Sequence, residues 1–282
     1  MTAKVAKLGS LIIPGKSAAD LSDVITQIVT SYAVDQLCEL TIDLVDPGNK
    51  LTKSPLAARG TVIDFLSETW KVGSLDTTLT ESGASITMRA RDELAKAMRS
   101  TYKTSAEKKV SPSDWVRGRV RIAGGTVFTQ PSAKTGTIAQ SKSQTVLDVV
   151  TNLANDLDWS WVSYCGIFAF ASRYYVWSEG IGSLPTWQLT WKKQQPTDAL
   201  EASFVESSDD TTNVATLDCS MTYEAGKSLR PWHRLVSTLP GAEGTWLIDT
   251  VTVTHDGTTP VRISASKPHT PRPKPGSSRK ES

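Results

Sequence analysis

Short segments in which apolar and polar residues alternate recur along the chain, and they constrain its fold more than any other feature. The clearest early example runs from Cys38 to Leu44, and Asp46-Pro47-Gly48-Asn49 closes it as a turn. Successive side chains of a strand point to opposite faces, so this alternation predicts strands with one buried face. Further strands are predicted at 61–65, 68–72, 75–80, 85–90, 187–191, 201–206, 214–222, 235–239, 245–255 and 261–265. Short strands separated by turns favour a β-barrel or β-sandwich, and Asp256-Gly257 between β-branched runs predicts a hairpin.

Four segments have helical signals instead. Ser17 can cap a helix whose apolar residues are Leu21, Val24, Ile25, Ile28 and Val29. Asp92 can cap a second one, with Leu94, Ala95 and Met98 on one face. Ser111 followed by Pro112 predicts a short third helix anchored by Trp115 and Val116. The strongest pattern runs from about Gln144 to Leu157, with a stripe of Val146, Val149, Val150, Leu153 and Leu157.

The segments around these helices complete an expected α+β region. Thr101 to Lys109 is polar and is predicted to be a loop. Arg117 to Ile122 alternates, which predicts a strand carrying Arg117, Arg119 and Arg121 on one face. Trp159 to Tyr164 and Ile167 to Ala171 flank a turn at Gly166 and predict a hairpin. For Arg117, Arg119 and Arg121, a solvent-exposed face is the simpler interpretation, and contact with a polyanion is the alternative.

Composition excludes several classes of protein. The chain is 39% hydrophobic and 21% charged, as in a globular protein with a real core. Its net charge of +2 does not suggest a binder of nucleic acid or anionic membranes. The longest apolar runs, such as Ile167 to Ala171, are too short to span a bilayer. No basic stretch, apolar run and cleavage site follow one another at the N-terminus, so we expect no secretory signal.

Cysteine and tryptophan contents indicate a packed interior more than a reactive site. Cys38, Cys165 and Cys219 are few and far apart, so we interpret them as small buried residues in strands, without a disulfide framework. Nine tryptophans are many for 282 residues. Core packing is the simpler interpretation, and positions at an interface are the alternative.

Motifs that would carry catalysis or bind cofactors are weak. Gly15-Lys16-Ser17 has the end of a phosphate loop, but Ser10 stands where its first glycine belongs and bulky residues lie between. His233, His255 and His269 lack the spacing of a zinc site. The acidic pairs Asp209-Asp210 and Asp156/Asp158 are expected to be solvated. No nucleophile elbow occurs. We therefore expect a protein that is not an enzyme, with no catalytic residues, no cofactor and no metal.

The order of five passages resembles the hub proteins of bacteriophage tails, especially siphophage tail-tip hubs, and more distantly contractile-phage baseplate hubs and late control protein D. The passages are Leu40 to Pro47; Ile86 to Leu94; Ser111 to Val116 with Gly124 to Phe128; Ser143 to Trp161 with Phe168 to Phe170; and Leu229-Arg230-Pro231 with Gly244 to Ile248 and a Pro-rich end. Together they cover roughly residues 35 to 271. In the family a glycine often follows the Leu-Arg-Pro step, where this chain has Trp232.

The resemblance implies an α+β, mainly β fold with two tail-tube-like β-barrel domains and an inserted α+β region. The expected division is an N-terminal strand and helix (1–34), a first barrel (35–110), an insert (111–180), a second barrel (181–267) and a flexible Pro-rich tail (268–282). It further implies a homotrimeric ring at the virion tail tip, assembled in the host cytoplasm, that encloses the DNA channel. The implied partners are the tail tube or distal tail protein, the tape measure protein and tail-tip or receptor-binding proteins.

Two other hypotheses belong to different classes. A non-viral β-rich module could bind cell wall or carbohydrate through exposed tryptophans, which would then line a groove. A cell-wall hydrolase would need one of the acidic residues for turnover.

Overall fold

A computed structural model of the chain describes residues 12–13, 16–17, 24–49, 51, 58–66, 68–100, 104–179, 185–192, 195–196, 199–208 and 213–267. The predicted tail (268–282), Gly15 of the phosphate-loop candidate and the pair Asp209-Asp210 lie outside these residues. In the part of the chain that is described, no helix is both long and apolar enough to cross a membrane.

The first group of strands extends to residue 92. It comprises β1 (Ile12–Ile13), β2 (Lys16–Ser17), β3 (Ile25–Ala33), β4 (Glu39–Pro47), β5 (Val62–Phe65), β6 (Glu68–Thr80) and β7 (Gly83–Asp92). Alternate residues of β4 and β7 are buried, as the period-2 pattern predicts. The predicted strands 68–72 and 75–80 are one long strand, β6.

The insert follows, and its own core packs three helices on a three-stranded sheet. Its elements are α1 (Glu93–Met98), β8 (Ser105–Val110), α2 (Pro112–Ile122), β9 (Thr126–Thr129), β10 (Gly136–Gln140), α3 (Val146–Leu157), β11 (Ser160–Tyr164), β12 (Ile167–Ala171) and α4 (Arg173–Ser178). The predicted caps are confirmed at Asp92 and Ser111, whose side chains accept from Ala95 N and Asp114 N. The hairpin predicted around Gly166 is also confirmed, as β11 and β12.

A second group of strands occupies residues 186 to 267. It comprises β13 (Thr186–Leu189), β14 (Trp191–Lys192), β15 (Gln195–Pro196), β16 (Ala199–Ser208), β17 (Asn213–Met221), β18 (Arg234–Ser237), β19 (Gly244–Thr254) and β20 (Val261–Lys267), with the short helix α5 (Tyr223–Gly226) after β17. The hairpin predicted at Asp256-Gly257 joins β19 to β20.

One sheet contains strands from both groups. Its order is β16-β17-β20-β19-β3-β4-β7-β6-β5-β1-β2, with β18 on β19 and β13 on β18. The two groups meet where Thr250–Thr254 of β19 pairs antiparallel with Val29–Ala33 of β3. One face of the sheet joins the main core, to which the hairpin β11–β12 contributes Val162, Tyr164, Ala169 and Ala171. The other face is polar. The fold class predicted from the sequence, α+β and mainly β, is confirmed.

Strands β3–β7 and β16–β20 form two units with the same connectivity. In each unit the chain makes a hairpin, then a short strand, then a second hairpin, and the second hairpin inserts in reverse order beside the first. The short strand, β5 or β18, pairs with the first half of the long strand that follows it, β6 or β19. We call β3–β7 unit 1 and β16–β20 unit 2.

Irregularities of the ladders occur at the same places in the two units. The first hairpin shifts register after Ile25 in unit 1 and after Ala199 in unit 2. The second hairpin shifts between Val72 and Ser74 and between Ile248 and Thr250. Bulges are specific to their place in a fold, so these coincidences establish the correspondence residue by residue.

The correspondence explains the backbone conformation of Trp232, the residue after Leu229-Arg230-Pro231. Trp232 has a φ of 68°, in the left-handed region, and Gly60 of unit 1 has a φ of 88°. Trp232 N donates to Ile248 O and Gly60 N donates to Val72 O, both at 2.8 Å. Each therefore makes the same turn before the short strand. Glycine adopts it without the steric cost that a side chain incurs.

Three secondary-structure predictions were wrong. The helix predicted after Ser17 is strand β3 from Ile25 onward, because its bulge puts Ile25 and Ile28 on one face and imitates helical spacing. Its Ile, Val and Thr residues favour strands. The strand predicted at 117–122 belongs to α2, where Val116 and Val120 form the buried stripe and Ile122 is exposed. The loop predicted at 101–109 contains strand β8, whose mostly exposed side chains give no alternation.

The prediction that the cysteines are buried holds for two of the three residues, and the prediction that they lie in strands holds for Cys219 alone. Cys38 and Cys219 are buried, and Cys219 lies in β17. Cys165 lies instead at the exposed turn of the hairpin β11–β12 with a φ of 52°. All three are free thiols.

Candidate assembly interface

The contact between the two units, which we call the inner junction, is closed by side chains as well as by backbone. His255, just after β19, lies with its Nε2 2.8 Å from the Thr30 hydroxyl of β3. The Tyr223 hydroxyl lies 3.2 Å from its Nδ1, and Phe65 of unit 1 packs edge-on against the ring. Burial lowers the pKa of His255 to about 4, so the imidazole is neutral at pH 7.

A buried charged cluster lies at the other end of this junction. The Arg230 guanidinium, from the turn before β18, covers the ring of Tyr32 in β3 at 4.2 Å. Its Nη2 lies 3.9 Å from a carboxylate oxygen of Glu68 in β6. The Cys165 thiol donates to that Glu68 oxygen at 2.6 Å, which ties the insert to both units. Burial raises the pKa of Glu68. Although Cys165 as a residue lies at an exposed turn, its thiol is desolvated against Glu68, which raises the pKa of Cys165 to about 12, so the thiol stays protonated.

Each unit also has a long strand edge that no described strand covers. We call these the outer edges. β16 ends the sheet on the side of unit 2. On the side of unit 1, β5 covers only Glu68–Lys71 of β6, and within the described residues no strand pairs with the outer side of Ser74–Thr80. Open edges present unpaired donors and acceptors and favour association with another strand.

The outer edges correspond to the two strands of the inner junction. β6 corresponds to β19 and β16 corresponds to β3. Counting from the shared bulges, Leu79 takes the place of His255 and Phe204 takes the place of Thr30. His255 and Thr30 are 5% and 0% exposed, whereas Leu79 and Phe204 are 68% and 44% exposed. The positions that are buried at the inner junction are thus occupied by exposed apolar residues at the outer edges.

Charge is distributed unevenly between the outer edges. A groove of about 740 Å³ beside Gly73 and Ser74 is lined by six cationic residues and a single carboxylate, that of Glu39. The cations are Arg59, Lys71, Arg89, Arg91, Lys96 and Arg99. We call this the basic groove. The hairpin β16–β17, residues 199–221, has five acidic residues and no Lys or Arg in its sequence.

The polar face of the sheet carries charges of both signs. In unit 2 it includes Glu201, Ser203, Asp218, Ser220, Thr250, Thr252, Arg262 and Ser264. In unit 1, Arg89 pairs with Asp76 at 2.5 Å and Arg91 with Glu39 at 3.3 Å on the same face. Such a surface stays hydrated and offers no extended apolar area.

His233 and His255, which lack the spacing of a zinc site in the sequence, are packing residues. His233 Nδ1 accepts from Trp187 Nε1 at 3.0 Å, and burial lowers the pKa of His233 to about 4. In the residues that the structure describes, no three His, Cys, Asp or Glu side chains group as metal ligands. His269 lies outside them. Lys16 and Ser17 belong to strand β2, paired with β1.

The arginines, the aspartate and the tryptophans that the sequence analysis singled out also have structural roles. Arg117 pairs with Asp114 of the same helix at 2.6 Å and donates to Thr129 of β9 at 2.7 Å, and Arg119 pairs with Glu107 of β8 at 2.6 Å, so both arginines connect α2 to a neighbouring strand. Asp158 is the left-handed C-cap of α3.

Five tryptophans are buried, namely Trp70, Trp115, Trp161, Trp232 and Trp246. Trp159, Trp177 and Trp187 are half-buried. No tryptophan whose side chain is described is exposed, so core packing is confirmed for the five.

The fold is that of bacteriophage tail proteins. The 43 kDa tail protein of prophage MuSo2 from Shewanella oneidensis matches with a TM-score of 0.65 at 11% identity, over 92% of this chain and 95% of that one. A tail protein from Neisseria meningitidis matches with a TM-score of 0.62 at 10% identity, over 92% and 95%. These likenesses confirm at the level of the fold the resemblance that the order of passages indicated.

A third solved structure extends the likeness to secretion systems. It is an Escherichia coli component of the type VI secretion system, described as structurally similar to tail proteins of bacteriophage T4. It matches with a TM-score of 0.63 at 12% identity, over 92% of this chain and 77% of that one. No protein-family model matches the sequence, and no curated protein does.

Proposed function

We propose that this protein is a structural hub at the distal end of a bacteriophage tail, where three copies form a ring that joins the tail tube to the tail tip. One observation carries the proposal: two units of equal connectivity share a closed inner junction, and no described strand pairs with the corresponding outer edges. The fold shared with phage tail proteins supports it.

Ring formation follows from the type of contact. Pairing β6 of one copy with β16 of the next repeats the inner junction between copies. Such a contact is head-to-tail, and it generates a ring when its rotation closes. Two units per copy then give six similar units in a trimer, which suits a part between a sixfold tube and a threefold tip.

The polar face of the sheet is the surface we assign to the DNA channel. It lies opposite the insert hairpin β11–β12, which packs on the core face. DNA must move past this surface. Asp76 and Glu39 neutralise Arg89 and Arg91 of the basic groove on this face, and mixed charges hold phosphates less tightly than a uniformly basic surface.

The other proposals follow from this role. The working parts are residues 25–92 and 199–267, with the insert between them. The partners are the tail tube or distal tail protein, the tape measure protein and tail-tip or receptor-binding proteins. The location is the virion tail tip after assembly in the host cytoplasm. The role is structural rather than catalytic.

Substitution of the exposed apolar residues tests the proposal. Light scattering after size exclusion should give a mass of three copies for the wild type, and electron microscopy should show a ring with a central channel. Leu79→Glu and Phe204→Glu should each yield a folded monomer, because they put a carboxylate at a closed junction. Ile122, on the insert, is 69% exposed, so Ile122→Glu is a matched control that should still form trimers. A wild type that stays monomeric at virion-like concentration overturns the proposal.

A further inference from the structure

Arg59 makes a contact on the outer edge of unit 1 that differs from its counterpart at the inner junction. Its side chain is exposed, and its Nε donates to the carbonyl of Gly73 at 3.0 Å. Gly73 is the bulge residue of β6, directly after the part of the strand that β5 and the turn at Gly60 cover. The contact therefore lies where the open stretch Ser74–Thr80 begins.

At the inner junction the same acceptor serves the neighbouring strand. The counterpart of Gly73 is Asp249, the bulge residue of β19, and its carbonyl accepts from the backbone amide of Val34, just after β3, at 3.0 Å. The counterpart of Arg59, one residue before the shared turn position, is Pro231. Proline has no hydrogen-bond donor, so it cannot compete with Val34 for this carbonyl.

The inner junction also indicates which group replaces Arg59 when two copies meet. The first hairpins of the two units have their bulges at the same place, and counting from these bulges gives Ser208 as the counterpart of Val34. The backbone amide of Ser208 in a neighbouring copy is therefore the donor expected at the Gly73 carbonyl. In a separate copy the Arg59 guanidinium occupies that acceptor.

Release of Arg59 leaves no charge buried. Within the described residues, no carboxylate lies within salt-bridge distance of its guanidinium, and its hydrogen bond to Gly73 is exposed to water. A hydrogen bond in that environment contributes little net free energy, because water replaces the lost partner. The contact can therefore protect the carbonyl in a separate copy and still exchange with a backbone amide.

We propose that Arg59 is a reversible edge cap: it occupies the first open acceptor of β6 in a separate copy, and the Ser208 amide of a neighbouring copy displaces it. Pairing of the outer edges then requires the exchange of one hydrogen bond for another. Charged side chains commonly protect open sheet edges from unwanted pairing, and here the charge comes from the turn before β5. This rests on the proposed ring, and it predicts that removing the edge cap strengthens the ring.

The variant Arg59→Met tests the edge cap, because methionine keeps an unbranched side chain but has no donor. Sedimentation velocity of the full chain over a range of protein concentrations measures the concentration at which half of the chains are assembled. Arg59→Met should lower that concentration at least about twofold, since each junction then forms without displacing a donor. Lys96→Met is the matched control. It removes one exposed cation from the same groove, leaves the Gly73 carbonyl capped and should assemble like the wild type.

Salt separates the edge cap from simple repulsion between positive charges. The gain of Arg59→Met should persist at about 0.5 M NaCl, where repulsion is screened. A gain that disappears there, or an equal gain in Lys96→Met, would assign the effect to charge and overturn the edge cap. An Arg59→Met protein that assembles no better than a trimeric wild type also overturns it and leaves the ring in place. Failure of the wild type and of both variants to assemble overturns the edge cap and the ring together.

Discussion

The inner junction and the outer edges have the same backbone geometry but different side chains. At the inner junction the chain has His255, Thr30, Tyr32 and Arg230, which are buried or nearly so and make contacts within one chain. At the outer edges the corresponding positions hold exposed Leu79 and Phe204, and a glutamate at 206. An intrachain contact forms with folding and tolerates buried polar groups that are paired. In a contact between copies, the two surfaces must stay soluble while the copies are apart, and charged residues keep them so. The same surfaces must bury apolar area when the contact forms.

Removing a cation should change the free energy of unfolding far more at the inner junction than at an outer edge, and this is the largest expected difference. Arg230→Ala should lower the free energy of unfolding by about 3–5 kcal/mol, because it leaves the Glu68 carboxylate buried without its partner. Arg59→Ala, at the exposed outer edge, should change it by less than about 0.5 kcal/mol. Urea denaturation of monomeric protein, in the Phe204→Glu background, measures both. Equal effects would contradict the distinction between a folding contact and an assembly contact.

Acid should weaken the inner junction next. The pKa of His255 is 6.5 in an unfolded chain and about 4 in the folded one, so the unfolded chain binds more protons between these values. The free energy of unfolding should therefore be level above about pH 7 and fall by about 3 kcal/mol from this residue as pH drops to 4. His233 adds a fall of the same sign.

The variant His255→Gln isolates the contribution of this histidine. It retains a group that can hydrogen-bond to Thr30 but does not titrate. Thermal denaturation from pH 7 to pH 4 should show a shallower loss than in the wild type. A parallel loss in the two proteins would show that His255 does not carry the dependence.

The smallest effect concerns the turn that the units share. Gly60→Ala should destabilise by about 1–2 kcal/mol, because alanine at a φ of 88° is strained although there is room for its Cβ. Gly118→Ala, in helix α2 with nothing near the new Cβ, should stabilise by about 0.5–1 kcal/mol. The same substitution is thus expected to have opposite signs at two positions. Tm shifts of the same sign would refute the role assigned to the turn.

Much of the fold could be predicted because strands with one buried face repeat every second residue. β4 and β7 show this pattern clearly, and the caps of α1 and α2 have side chains with one obvious role. β8 has no buried face and so no pattern. In β3 one extra residue at the bulge changed the apparent period from two to three, and the helical interpretation failed for that reason.

The candidate interface could not be predicted from local pattern. The internal repeat lies in connectivity and bulges, whereas corresponding positions differ: Trp232 against Gly60, His255 against Leu79 and Thr30 against Phe204. The two residues of each pair occupy the same position in the backbone of their unit but have different side chains.

An engineered disulfide tests most directly whether the outer edges pair as the inner junction does. Thr252 pairs with Ser31 at the inner junction, which places Asp76 opposite Val205 of a neighbouring copy. In a Cys165→Ser background, Asp76→Cys/Val205→Cys should oxidise into a covalent species of three copies, since facing residues of paired strands are close enough for a disulfide. The register-shifted pair Asp76→Cys/Phe204→Cys should stay largely monomeric on a non-reducing denaturing gel. Folded protein that remains monomeric in both variants, or cross-links equally in both, would contradict the account.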